Sequence, residues 1–503
     1  MTSLAPTPLM VSMVQAATTL PMFLFALPAG ALADIFDRRK ILIIVTAVMV
    51  LTAAPMGMVV LNNAMTPTGL LLFTFALGSG AAFIAPIWQA IIPGLVAKET
   101  LQPAVVLNSV GINISRAIGP AFGGIVIVLF GIAWPFLLNA ASFLAVIIAL
   151  IWWRPEKQSA RYFPREQFLS AIQTGLRYTR SSPAFKTALA RTIAFFPFAS
   201  AYWGLLPLIV RQELGGGPEL YGLLLGSVGV GGVAGAFLLS VLKPKIGTDN
   251  VVVAGSISMV LVIIIFAFTR QPAIAIFASV LAGISWIAVL SCLNVSAQTA
   301  LPEWVRARGL SVFITVFFGC MTVGSIVWGQ VATIYGIPAA LLGAAMVGIA
   351  GLVASKSFRL QQNISPNLDP SMHWPEPVLE KQIEADRGPV MITVKYHIDR
   401  KDTADFLNLL YQLADARRRD GAYAWGVFED AANPECYLEY FLEVSWLEHL
   451  RHHQRVTEQD RILQEEIQKL HLGTTPPKLT HFLTPDFDIK KSRRKNINER
   501  GLK

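Results

Sequence analysis

Long apolar runs alternate with short polar connectors over the first 356 residues, and the pattern changes after that. Runs of roughly 18 to 30 residues fall near 9–33, 40–62, 68–96, 103–131, 133–153, 187–211, 219–242, 250–269, 272–301, 309–334 and 337–355. Each is long enough to cross about 30 Å of hydrocarbon at about 1.5 Å per residue, so eleven membrane-spanning helices are predicted. Farther on the period shortens. Val390, Ile392, Val394, Tyr396 and Ile398 alternate as a strand, and Phe406, Leu409, Leu410 and Leu413 share one face of a helix over 402–419. Strands near 422–429 and 435–444, a helix near 446–470 and a strand near 478–484 complete a β-α-β-β-α-β order.

Composition agrees with two solvents. The chain is 54% hydrophobic and 15% charged, with a mean hydropathy of +0.54, which excludes an ordinary soluble enzyme. Residues 1–356 carry 20 Lys and Arg against 9 Asp and Glu, and the remainder carries 21 against 23. The cations of the first part sit in connectors: Arg38, Arg39 and Lys40, then Lys98, seven between Arg154 and Lys186, then Lys243 and Lys245, then Arg306 and Arg308. All fall on one side, opposite Arg211 and Arg270, and the positive-inside rule makes that side cytoplasmic. The N-terminus is then outside and the C-terminal part inside. This distribution argues against nucleic acid, which needs a basic soluble face. Cys292, Cys320 and Cys436 fit neither a disulfide framework nor zinc-site spacing.

A weak internal repeat is visible at an offset of 209, where Trp88 to Val96 can be laid over Ala297 to Val305 with Gln, Pro and Val coinciding. If the offset holds, the first half has five spans of a six-span unit and the chain begins one helix late. The predicted divisions are 1–153 with five spans, 154–186 as a cytoplasmic loop, 187–356 with six spans, 357–389 as a linker, 390–485 as a soluble α+β domain and 486–503 as a basic tail.

Two segments carry a family resemblance. Gly30-Ala31-Leu32-Ala33-Asp34-Ile35-Phe36-Asp37-Arg38-Arg39-Lys40 resembles the cytoplasmic loop signature of the major facilitator superfamily, Gly-x-Leu-Ala-Asp-x-x-Gly-Arg-Arg-Lys, with Asp37 in place of the usual Gly. Gly119-Pro120-Ala121-Phe122-Gly123-Gly124 resembles the Gly-Pro-x-x-Gly-Gly element of the superfamily's antiporter branch. Around Leu77 to Ala82 a third motif is echoed, with Thr74 where an Arg is expected. The second half's counterpart of the loop, near Leu242-Lys243-Pro244-Lys245, lacks the acid, so one charged latch is evident.

The branch most similar is that of bacterial enterobactin and macrolide exporters, many of which carry a polar C-terminal extension. The resemblance implies an all-α polytopic fold of two pseudo-repeated halves, here without the usual first helix. It also implies a multi-pass protein of the bacterial inner membrane that exports a small amphipathic molecule by alternating access, with protons as the candidate coupling ion. Gly30, Asp34, Arg38 and Arg39 would form the gating loop. The C-terminal domain looks ferredoxin-like and is similar to dimeric α+β barrels of the antibiotic-biosynthesis monooxygenase type, which implies a cytoplasmic homodimer contact. Two other readings stay open: a membrane-tethered enzyme that oxidises a small aromatic compound, and a sensor or scaffold that transports nothing.

Arg116 is the ionisable residue deepest in an apolar run, about 14 residues and so about 20 Å from the cytoplasmic end. A guanidinium there costs about 2.5–3.5 kcal/mol on insertion scales and should face a watery cavity or a partner. With Asn113 on the same face it marks a substrate-cavity candidate. Gln15, Gln89, Gln298 and Asn294, with Trp88 and Trp286 as stacking surfaces, are further cavity candidates, and each alone also suits interhelical packing. No Asp or Glu lies well inside a span, and all seven histidines follow residue 372. No phosphate-binding loop appears, which argues against ATP drive. His449, His452 and His453 include a pair at i and i+4. No third ligand is evident beside them, and Glu448, Arg451 and Arg455 make the segment read as a solvated helix face, so neither metal nor cofactor is predicted. The cationic tail Lys490 to Lys495 suits anionic lipid.

Overall fold

The computed structural model describes residues 7–35, 37–91, 131–153, 176–360, 386–473 and 475–485, with isolated positions between 111 and 130 and at 371, 374, 383 and 384. It divides into two compact units. The first is helical: α1 (Pro8–Ile35), α2 (Arg38–Leu61), α3 (Pro67–Ile91), α4 (Trp134–Trp152), α5 (Pro183–Leu208), α6 (Pro218–Phe268), α7 (Pro272–Thr299), α8 (Glu303–Tyr335) and α9 (Ile337–Ala354). Several open on proline, which has no N–H to leave unpaired and a φ already suited to a first turn.

Among the described residues, nine helices are long and apolar enough to span a bilayer, against eleven expected. The difference has two sources. The run at 103–131 lies largely outside the described residues. The runs at 219–242 and 250–269 are joined in α6, whose 51 residues break at Gly247 (φ 82°, ψ 162°). A straight helix of that length would measure about 77 Å, far more than a bilayer. Gly247 lets the chain turn where an L-residue would be strained.

Inside this unit α5 is the most enclosed helix, with Phe195, Phe196, Tyr202 and Leu205 fully buried. Leu144, Ile148 and Trp152 of α4 instead point outward, an apolar exterior suited to lipid. The α6–α7 crossing is close. A Cβ built on Gly231 would strike the carbonyl oxygen of Val280, and one on Gly283 that of Val228.

The second unit holds β1 (Val390–His397), α10 (Thr403–Asp420), β2 (Ala424–Asp430), β3 (Asn433–Glu443), α11 (Trp446–Arg455), α12 (Glu458–Lys469) and β4 (Lys478–Leu483). The strands form one antiparallel sheet in the order β2-β3-β1-β4. The helix expected over 446–470 is divided at Val456, because Thr457 accepts from the Asp460 amide and Asp460 returns a bond to the Thr457 amide, starting a new helix there. Val394 and Tyr396 of β1, with Ile398 just beyond its end, pack with Phe406, Leu410, Leu413 and Ile467 of the helices. Val390 and Ile392 pack with Phe441 and Trp446. The other face of the sheet leaves Phe428, Leu438 and Phe482 at 61%, 39% and 49% exposure.

Candidate functional site

The loop between α1 and α2 is anchored through its cations. Arg39 donates from Nε to the Leu150 carbonyl (2.7 Å) and from Nη2 to the Ile151 carbonyl (2.6 Å). These are C-terminal acceptors of α4 that lack intrahelical partners, and a cation there also meets the negative end of the helix dipole. Asp37, which replaces the signature's glycine, caps α2 by accepting from the Lys40 amide. Arg38 is half-buried. The surroundings of Gly30 and the side chain of Asp34 lie outside the described residues, as do Pro120 and Gly124. At Gly119 and Gly123 an added Cβ would meet nothing within 4 Å.

The cavity candidates are partly placed. Asn294 and Gln298, one turn apart on α7, bond to each other, Nε2 to Oδ1. Trp286 stands in an aromatic cluster, with ring centroids 5.1 Å from Trp203, 5.4 Å from Phe196 and 6.3 Å from Phe317. Its stacking surfaces are therefore largely taken by protein. Gln15 is half-buried on α1 and Trp88 is 38% exposed on α3. Arg116, Asn113 and the Gln89 side chain lie outside the described residues.

Two features of the helical unit escape the sequence. In the first, α1 runs antiparallel to α8 in a fixed register. The Leu9 amide donates to Thr333 Oγ1 (3.0 Å), Ser12 faces Gly329, the hydroxyls of Thr19 and Thr322 are 2.7 Å apart, and Phe23 faces Gly319. Steps of 3, 7 and 4 residues forward on α1 match steps of 4, 7 and 3 back on α8, and small or hydroxylic residues let the backbones approach. Ser12 also lies against Gly204 of α5.

The second is an ion pair. Arg191 of α5 donates to Asp249 Oδ1 (2.7 Å), to the Phe358 carbonyl (2.8 Å) and to Ser355 Oγ (3.1 Å), and Asp249 also accepts from the Leu360 amide. The expectation of one charged latch is corrected by this pair. The second half has its own, built from an acid just past Gly247 and a cation on another helix.

The soluble unit corrects a further expectation. The helix face carrying His449, His452 and Arg455 is not solvated: the three are 1%, 1% and 4% exposed. They turn inward because β3 places Glu439 and Glu443 on the helix-covered face of the sheet, both at 0% exposure. Glu439 accepts from Tyr396 Oη (3.0 Å), Trp425 Nε1 (3.0 Å) and Arg417 Nε (3.3 Å). Arg417 in turn stacks over Trp374 and Phe441.

Glu443 accepts from His449 Nδ1 at 2.8 Å and is bonded to His452 Nδ1 through its other oxygen. Burial opposes ionisation of Glu443, but the His452 charge and the hydrogen bonds from His449 and His452 outweigh it and hold the carboxyl well below its usual range. Burial, reinforced by the neighbouring histidines, pushes His453 down to about 4, and burial together with His449 does the same for His481. The third imidazole that spacing did not reveal is His481 of β4, whose ring centroid stands 4.7 Å from that of His449.

Comparison with known proteins fixes the family. The family model described as transmembrane secretion effector matches residues 1–488. The staphyloferrin A transporter of Staphylococcus aureus is 25% identical over 325 residues, covering 63% of this chain and 79% of that protein. The multidrug efflux pump Tap of Mycolicibacterium fortuitum is 24% identical over 372 residues, covering 70% and 88%. Among solved structures, a POT family transporter in complex with 5-aminolevulinic acid superposes with a TM-score of 0.57 at 12% sequence identity, covering 69% of this chain and 87% of that one, and it shows a shared fold. The chain belongs to the transmembrane secretion effector family of the major facilitator superfamily and is a multi-pass membrane transporter that exports small molecules.

Proposed function

We propose that the exported molecule is amphipathic, of the drug or siderophore kind, that it crosses a bacterial inner membrane by alternating access, and that the conformation seen here is closed toward the outside. The observation that carries this reading is the register of α1 against α8. It runs from Leu9 to Phe23, about 21 Å of helix, starting from the end that the charge distribution puts outside. Contacts made by hydroxyls and glycines, with few long side chains interlocked, suit surfaces that must part and re-form. The decisive experiment replaces Thr19 and Thr322 with cysteine in a chain whose native cysteines are serine. A disulfide between them should stop export in inverted vesicles and reductant should restore it; undiminished export by fully cross-linked protein refutes the reading.

Arg116 and Asn113 remain the proposed lining of the substrate cavity, and Arg116→Ala should lower export without lowering membrane abundance. Gly30, Asp34, Arg38 and Arg39 are proposed as the moving cytoplasmic latch, supported by the grip of Arg39 on α4. Protons are the proposed coupling ion. We read the C-terminal unit as ferredoxin-like, a reading supported by its strand order β2-β3-β1-β4, and we place this domain in the cytoplasm. Its apolar open sheet face, with Phe428, Leu438 and Phe482, supports pairing with a second copy.

A further inference from the structure

We propose that His449, His453 and His481 form a binding site for one divalent transition-metal ion of the zinc class, backed by the buried carboxylate of Glu443. Ligand nitrogens of the three histidines lie within 4.8 Å of one another. His449 and His453 are one turn apart on α11, which points both rings to one side of the helix, and His481 comes from β4. The Nε2 atoms of His449 and His453 are 3.2 Å apart. Two nitrogens bound at about 2.0–2.1 Å to one tetrahedral ion stand about 3.3 Å apart, so this pair already has the separation a metal would impose. His481 closes the set by a small movement of its ring.

The surroundings are those of a metal ligand set. His449 donates Nδ1–H to Glu443, which leaves its Nε2 lone pair directed at His453 and His481. A carboxylate behind a histidine in this way fixes the tautomer and raises the ligand's basicity. Glu443 is itself held by His452, so the support is rigid. Trp446 packs against His449 and His481 at centroid distances of 5.2 and 6.0 Å, and Trp374 against His453 at 4.9 Å, giving the site an apolar wall. His453 and His481 are only half-buried, so an ion can reach the cluster and a fourth position is left for water. Without a metal, the facing Nε2 atoms of His449 and His453 can share only one proton between them. A cation satisfies all three lone pairs at once and ties α11 to the edge strand β4.

The test uses tag-free full-length protein in detergent, stripped with chelator and titrated with Co2+, then with Zn2+ in competition. Wild type should bind about one ion per chain with ligand-field bands of a low-coordinate nitrogen site, and Zn2+ should bleach them. His453→Ala and His481→Ala should each weaken binding at least about 100-fold, while His471→Ala, outside the cluster, leaves it unchanged. Glu443→Gln should weaken it about 10- to 100-fold. Absence of such bands in the stripped wild type, or binding that survives both His453→Ala and His481→Ala, overturns the site.

Discussion

The ion pair of Arg191 and Asp249 allows a quantitative test of how the second half is held together. Arg191 is 3% exposed and Asp249 15%, with 2.7 Å between Nη2 and Oδ1. At an effective dielectric of 20, the attraction at that separation is about 6 kcal/mol, and desolvation of both groups offsets much of it. Removing only the cation is worse than removing both partners. Arg191→Met leaves the carboxylate with the Leu360 amide alone and deprives the Phe358 carbonyl and Ser355 hydroxyl of their donor, at a cost of about 3–5 kcal/mol. Asp249→Asn keeps an acceptor for both donors and should cost about 1–3 kcal/mol. The double variant should then be more stable than the sum of the singles implies, with a coupling energy of about 2–4 kcal/mol. Unfolding in mixed micelles at rising detergent denaturant, measured for all four proteins, gives this value directly. A coupling below about 0.5 kcal/mol, the level expected of independent sites, would refute the claim that the pair is a buried latch tying α5 to α6 and to the chain beyond α9.

Other outcomes follow from single features. Arg39→Ala removes two charge-assisted bonds to the end of α4 and should cost about 1.5–3 kcal/mol per bond at most; Arg39→Lys, which cannot fork to both carbonyls, should recover less than half of the lost thermal stability in detergent. Gly231→Leu or Gly283→Leu should abolish membrane accumulation because α6 and α7 cannot separate enough, whereas Gly232→Ala, where a Cβ meets nothing within 4 Å, should be neutral; normal abundance of both leucine variants would contradict the crossing. For pH, His453 and His481 titrate near 4 in the folded state against about 6.5 when unfolded. The unfolded chain therefore binds more protons between those values, so their contribution is fully present above about 6.5 and is lost as pH falls toward 4. In chelator-stripped protein, hydrogen exchange of the α11 amides should accelerate relative to β3 over that interval, and a flat profile would count against it.

How much of this was legible depended on the range of the interaction. Membrane spans are local, so apolar run length located helices at ten of the eleven expected places, and the polar connector Lys243-Pro244-Lys245 marked where α6 breaks, two residues before Gly247. The break at Val456 was also local: Thr457 and Asp460 have cap spacing, but the surrounding charges masked it. Arg191 and Asp249 are 58 positions apart, and nothing in a connector's charge says which distant helix end it will meet. The register of α1 on α8 joins residues more than 290 apart through glycine, serine and threonine, the residue types least distinctive in a membrane sequence.

The histidine cluster was hidden for a different reason, the sign of an amphipathic helix. α11 has a strongly polar face, and a polar face is ordinarily the one that meets water. That inference fails when the surface beneath the helix is polar too. Along β3, Tyr437, Glu439, Phe441 and Glu443 occupy one face and Leu438, Tyr440 and Leu442 the other. Apolar residues on both faces give no clear alternation, and two acids on the helix side need donors that cannot come from water once the helices are in place. Arg417, His449 and His452 supply those donors, so the polar stripe of α11 is buried because the strand is acidic. The same strand then presents its more apolar side outward, next to Phe428 and Phe482. The buried polar helix face and the open apolar sheet face thus have one cause: the placement of two glutamates at every second turn of the pleat, which draws cations and imidazoles into the interior and leaves the strand's more hydrophobic residues on the open face.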